Sequence, residues 1–275
     1  MAGSGRRDFE AREEEIKKET KVAFKMFYPI YWEGLNILKD ALDLLLKETK
    51  EALDEYANAL FILYNRAIQH LESIRVLTEA GLYGDAFAVS RNLTSDVSMI
   101  QYLKHKPELI QQFLTEKQET YQDKKNDFAE NFSERAIHNT LTENGVQPFK
   151  TSFQLLSKAS HASAFGSQLY GKYGKDGKYY LKYGPGYEDM KALALFGIIS
   201  GGHYDLLDNI LIYRSGKSDK RPPEWKPIED GTIALGLKID LFSEAATVTL
   251  NELKKNIDAT EDSQPSKETD VKQGS

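Results

Sequence analysis

The 275-residue sequence contains no cysteine. That removes disulfides, thiolate nucleophiles and cysteine-held zinc or iron–sulfur centres. It has no basic excess either: 36 Lys and Arg stand against 42 Asp and Glu, a formal charge of −6. A general nucleic-acid or anionic-membrane surface relies on clustered Lys and Arg, so the balance argues against both, although a local cleft can still be basic. No apolar run approaches the roughly twenty residues of a membrane helix. The opening stretch MAGSGRRDFEAREEE has no apolar core of a secretory signal. Together these absences predict a soluble, cytoplasmic protein. The chain also lacks a His-Glu-x-x-His motif and the paired Glu-x-x-His motifs of metal-holding bundles, so no metal and no cofactor are expected.

What the sequence does have is a nearly uncharged stretch in a chain that is 28% charged. Between Ala86 and Leu103 only Arg91 and Asp96 carry charge. At a hundred degrees per residue, Ala86, Val89, Leu93, Val97 and Ile100 form one apolar stripe, with Phe87, Arg91, Ser98 and Tyr102 roughly opposite. A helix apolar on more than one side is enclosed by neighbours. Arg91 and Asp96 lie about 140° apart around the axis and cannot pair with each other. Each therefore needs a partner on another helix, because an unpaired buried charge costs several kcal/mol. The geometry turns Arg91 away from the stripe, towards a polar site, and sets Asp96 beside it as an anchor for a neighbouring helix.

Around this helix the pattern is helical almost throughout. A charged N-terminal helix or arm over 1–28 should stop before Pro29. An amphipathic helix follows from Tyr31 to Lys47, and a third from about Thr49 to Glu79, closed by Gly81. The third helix and the central one form an antiparallel hairpin. Pro107 suits the first position of an outer helix reaching to about Phe128, and Asn131 with Glu134 resembles a capping box for a short helix ending near Gly145. Leu169 to Tyr183 alternates Tyr with Lys and Gly around Asp176-Gly177, a hairpin signal. Tyr187 to Tyr213 is helical again, with Gly201-Gly202 marking a kink or a close crossing. Asp230 is placed to cap a last helix to about Ile257, and 258–275 reads as a disordered tail. The expected fold is all-α: one helical domain over 29–257, a multi-helix bundle around a buried helix hairpin, with a small Tyr-rich β-hairpin or loop insertion at about 168–185.

Several groups of residues could carry chemistry. Ser157, Ser160 and His161 lie in LLSKASHAS, where Ser157 and His161 share a helix face and can act as hydrogen-bonding pair, nucleophile and base, or ligand-orienting pair. No nucleophile-elbow motif surrounds either serine. His70, Glu72, His203, Asp205 and Asp208 supply imidazoles and carboxylates, but structural hydrogen bonding explains them better than a metal. The tyrosines Tyr170, Tyr173, Tyr179, Tyr180 and Tyr183, interleaved with Lys172, Lys175, Lys178 and Lys182, could stack bases and hold phosphate. They equally suit a half-buried strand surface. Arg66 precedes His70 with three residues between, and Arg135 precedes His138 with two. Neither matches the wider Arg-to-His spacing of helical ribonucleases of the HEPN type.

The order of AFAVSRNL, then LLSKASHAS, then a closing helix pair resembles an uncharacterised bacterial domain-of-unknown-function family, number 5677, grouped with HEPN-like helical bundles. Arg91 and Leu93 match its Arg-x-Leu stretch, and Ser157 and His161 its Ser-x-x-x-His stretch. The resemblance spans about Tyr56 to Tyr213. It departs at the family's acidic position, four after the arginine, where Ser95 stands and Asp96 follows. The family implies no activity. The residues themselves point first to binding of a protein partner or small ligand in a polar interhelical pocket lined by Arg91, Ser157, His161, His203 and Tyr170. The rival is a metal-independent phosphodiester hydrolase, an RNase of a defence or toxin system, with His161 as acid or base, Arg91 on phosphate and Ser157 beside them. A third reading is a structural module, the outer helices forming a homo-oligomer interface.

Overall fold

In a computed structural model of the chain, the described residues are 4–48, 55–115, 130–146, 156, 171–173, 179–181, 185–215, 222–240 and 248. They form helices α1 (Ser4–Ala23), α2 (Phe27–Glu48), α3 (Glu55–Glu79) and α4 (Tyr83–His105), then a 3-10 turn at Pro107–Leu109 leading into α5 (Ile110–Leu114). Helices α6 (Glu134–Glu143), α7 (Asp189–Ser215) and α8 (226–240) follow.

The α3–α4 hairpin is the centre of the bundle. Gly81 makes the reversal: at φ 72° it allows Leu82 N–H to reach Leu77 O at 2.8 Å and its own N–H to reach Thr78 O at 3.0 Å, which satisfies the last carbonyls of α3. A Cβ at this position would lie 2.7 Å from Gly186 O, so glycine is required twice over. On α4 the expected stripe faces inward, with Ala86, Leu93, Val97 and Ile100 all buried, and Phe87 and Tyr102 on the opposite side are buried as well. The helix is enclosed on more than one face, as its near-lack of charge requires.

Helix α7 is the second buried helix. It carries Ala192, Ala194, Leu195, Phe196, Ile199, Leu206, Leu207 and Ile210 into the core and packs on α2, α3 and α4. Phe196 stacks on Phe27 of α2, ring centroids 4.1 Å apart. The Gly201-Gly202 pair marks a crossing within a continuous helix: a Cβ on Gly202 would meet Leu93 Cδ2 at 3.0 Å and Leu71 Cδ2 at 3.2 Å. Helix α1 docks through Ile16 and Thr20, both fully buried.

Several expected boundaries move. Helix α2 begins at Phe27, four residues before the expected Tyr31, because Pro29 falls in the first turn, where its missing N–H costs no hydrogen bond. The cap of α6 is Ser133, whose Oγ accepts from Ala136 N–H at 3.1 Å, rather than Asn131, whose side chain bonds Gln112 instead. Helix α8 starts after the Pro223–Trp225 turn, so Asp230 lies inside it and pairs with Lys226 one turn back at 2.7 Å.

The fold class also needs correction. The body is built of helices, and a Tyr-rich β-hairpin or loop insertion is not kept as a component of the fold. In the expected segment the described pairing is confined to β1 (Gly171–Tyr173) and β2 (Tyr179–Leu181), three residues a side. A two-stranded ladder of that length has too few hydrogen bonds and too little apolar face to stand as an architectural unit.

Candidate functional site

The charge that α4 buries is Asp96, 1% exposed, and its partners come from α3. Arg66 places a terminal guanidinium nitrogen 2.9 Å from Asp96 Oδ1, and His70 places Nδ1 3.0 Å from Asp96 Oδ2. The second contact is within ion-pair distance, but neither atom completes an aligned hydrogen bond. Arg66 and His70 are one turn apart on the same face of α3. The arrangement is graded from inside to outside: the Asp96 side chain is 2% exposed, His70 22% and Arg66 53%. A buried carboxylate thus holds two nitrogen-rich side chains at the solvent edge of the helix hairpin.

Asp96 is the helix anchor that the sequence predicted, and the hairpin register explains its partners. Asp96 is fourteen residues past Leu82, and the residue fourteen before Leu82 is Ile68, midway between Arg66 and His70. Reading the turn at Gly81 together with that symmetry would have found the trio. The spacing of Arg66 and His70, judged against a ribonuclease motif, drew attention away from it.

The other predicted site residues fall in different places. Arg91 turns towards α6 and pairs with Glu134. His203 lies in the core, 1% exposed, against α2. Its ring centroid is 5.2 Å from that of Tyr31, and its Cγ would sit 3.1 Å from a Cβ on Gly34. Neither ring nitrogen completes an aligned hydrogen bond, and burial, opposed in part by the Ile199 backbone one turn back, pushes the imidazole down to about 4. Arg91 and His203 therefore serve separate interfaces. Ser157, Ser160, His161 and Tyr170 lie outside the described residues. Leu156, beside Ser157, is buried in the core.

The imidazole and carboxylate set is likewise divided. His70 joins Asp96, whereas Glu72 accepts from Arg75 Nε at 2.9 Å and from the Tyr31 hydroxyl. Arg75 also pairs with Glu79, and its guanidinium lies 5.6 Å from the Tyr31 ring centroid and 5.8 Å from that of Trp32. The Arg75 hydrogen bond holds the Glu72 carboxyl below its ordinary value. This network ties α2 to α3. On α7, burial first and the neighbouring Asp208 second push Asp205 up to about 7. Among the described residues no group of three or more His, Asp or Glu could hold a metal ion, and no helix is long and apolar enough to cross a membrane.

Residues 57–160 match the model of a family described as "Family of unknown function (DUF5677)". The match is shorter than the span expected from the sequence and covers α3 to α6, including Arg66, His70, Arg91 and Asp96. No curated protein and no solved structure matches the chain.

Proposed function

We propose that the protein binds an oxyanion-bearing ligand, a phosphate or carboxylate group, at the edge of the α3–α4 hairpin where Arg66 and His70 converge on Asp96. The observation that carries this reading is Asp96 itself: a fully buried carboxylate that fixes a guanidinium and an imidazole one turn apart and leaves both reaching solvent. Guanidinium and imidazolium are the side chains best suited to oxyanions, through forked N–H donors in one and a titratable donor in the other. Pre-fixing them by a buried partner lowers the ordering cost of binding. This site takes the place of the pocket first read around Arg91. Titrating the protein with inorganic phosphate by calorimetry tests it. Binding should weaken at least tenfold in Arg66→Ala and be unchanged in Arg91→Ala. Equal binding by wild type and Arg66→Ala would remove the site.

A second reading, phosphodiester hydrolysis, is favoured by one feature of the same trio. A carboxylate 3.0 Å from Nδ1 would stabilise the imidazolium of a general acid–base histidine, with Arg66 placed to take phosphate charge. This is the HEPN-like, metal-independent RNase alternative transferred from His161 to His70. Incubation of single-stranded RNA with wild type and His70→Asn tests it: cleavage by the first and not the second supports it, and intact RNA in both refutes it.

A further inference from the structure

The outer face of α1 is exposed, and its residue pattern specifies what fits it. The helix rests on the body through Ile16 and Thr20, and Phe24 in the turn that follows packs edge-on against Phe196. Charge is split along its length: Asp8 to Glu15 holds five acids and one base, Lys17 to Lys25 four bases and one acid. Asp8, Ala11, Glu15, Lys18, Val22 and Lys25 recur at alternating steps of three and four. At a hundred degrees per residue that seam runs along the side of the helix opposite Ile16 and Thr20. All six residues are exposed, Val22 by 74%. Lys25 stands just past α1, where Phe24 N–H still bonds Thr20 O at 2.9 Å and carries the helical path onward.

A seam of this spacing is the contact line of a two-stranded coiled coil. Run antiparallel to a copy of itself, with the two-fold axis between Ile16 and Lys17, it sets Asp8 against Lys25, Ala11 against Val22 and Glu15 against Lys18. Each of these contacts then occurs twice. The flanking positions agree: Arg12 comes beside Glu19 and Glu14 beside Lys21, all four exposed. Neither a parallel pair nor a shifted one does this. The parallel pair sets Asp8, Glu15 and Lys18 each on its own copy, where like charges repel. A shift of one heptad sets Lys18 against Val22 or Glu15 against Ala11 and shortens the seam. Within the chain Arg12 reaches Glu15, Lys17 reaches Glu14, and Lys21 lies 3.8 Å from Glu79. Surface pairs of this kind contribute little, so exchanging them for contacts across the axis costs little.

We propose that α1 is a dimerisation helix, pairing antiparallel with α1 of a second copy of this chain. The seam faces away from the helices on which α1 rests, so the two bodies stand on opposite sides of the pair. The contact line is about 26 Å long. One Ala11–Val22 layer lies on each side of the axis and the remaining layers are charged, which makes the dimer weak and sensitive to salt. Sedimentation velocity on the whole chain tests this over a range of concentrations. It is run in about 0.1 M and about 1 M sodium chloride, between which the screening length falls from about 10 Å to about 3 Å. Glu15→Lys and Lys18→Glu are each run alone and then mixed in equal amounts. Both positions are exposed, and circular dichroism establishes that both variants are folded.

The expected result is a wild-type dimer that weakens by roughly tenfold or more in the higher salt. Each variant alone should be monomeric, because like charges meet across the axis, and mixing the two should restore the dimer, because opposite charges meet again. The two changes lie on different chains, so recovery on mixing cannot come from repair within one helix. A wild type that stays monomeric at every concentration overturns the proposal. So does a dimer that salt leaves unchanged or that either variant keeps on its own, which puts the interface elsewhere. Variants that stay monomeric when mixed overturn it as well, by removing the pairing of Glu15 with Lys18.

Discussion

Two groups on α7 should pull the pH dependence of stability in opposite directions, and removing either should expose the other. His203 is fully buried with neither ring nitrogen in an aligned hydrogen bond, and burial pushes it down to about 4 in the fold. Unfolding returns it to about 6.5. Between those values the unfolded chain binds more protons, so the stability due to His203 is complete above pH 6.5 and is lost as the pH falls towards 4. The difference amounts to roughly 3 kcal/mol. Asp205 behaves in the reverse sense, rising from 3.8 to about 7 on folding. In that interval the folded chain binds more protons, so Asp205 costs stability progressively from pH 4 to pH 7, by up to about 4 kcal/mol. Its partial exposure makes that figure an upper bound. Asp208, raised by burial, adds to the same direction, while Glu72 is lowered and acts below pH 4.5. Urea denaturation between pH 4.5 and 7 should therefore show a shallow slope in wild type. In Asp205→Asn stability should climb with pH by up to about 2–3 kcal/mol across the window, carried by His203 and partly offset by Asp208. In His203→Phe, which keeps a ring against Tyr31, stability should fall with rising pH. If neither substitution changes the slope, the burial argument for both groups is wrong.

Other predictions follow from packing. Gly202→Ala places a methyl about 3 Å from Leu93 and Leu71 and should cost about 1–3 kcal/mol, seen as a lower Tm. Its neighbour Gly201→Ala meets nothing within 4 Å and should gain up to about 1 kcal/mol from helix propensity. Gly81→Ala, at φ 72° with Gly186 O at 2.7 Å, should destabilise by about 2 kcal/mol or more in the same thermal assay. Asp96→Ala should cost about 1–3 kcal/mol in urea, since its partner Arg66 is half in solvent. The double variant Arg66→Ala with His70→Ala should cost more, because it strands the buried carboxylate.

The helix hairpin was legible because its signals are local and redundant: a charge-poor stretch, a 3.6-residue stripe and a glycine at the reversal all agree. The buried state of Asp96 and its role as an anchor followed from the same reasoning. The identity of its partners did not, because helical spacing gives the face of a residue but not which neighbour meets it, and only the register about Gly81 supplies that. Asp230 and Asn131 misled as caps because a short polar residue before an apolar run is common, and the actual starts were set by Ser133 and by the Pro222-Pro223 turn. His203 read as a candidate ligand because it stands beside Asp205 and Asp208 on one helix. Its packing against Gly34 and Tyr31 depends on a contact with α2, some 170 residues away in sequence, which no local pattern encodes.

The central claim is that Asp96 organises Arg66 and His70 into a site. The most direct measurement is NMR mapping of inorganic phosphate on the whole chain, followed at side-chain nitrogens. The account predicts saturable shifts at Arg66 Nε and the His70 ring, lost in Asp96→Asn, with the Arg91 signal unmoved. Shifts centred on Arg91, or a response at Arg66 and His70 that survives in Asp96→Asn, would contradict it.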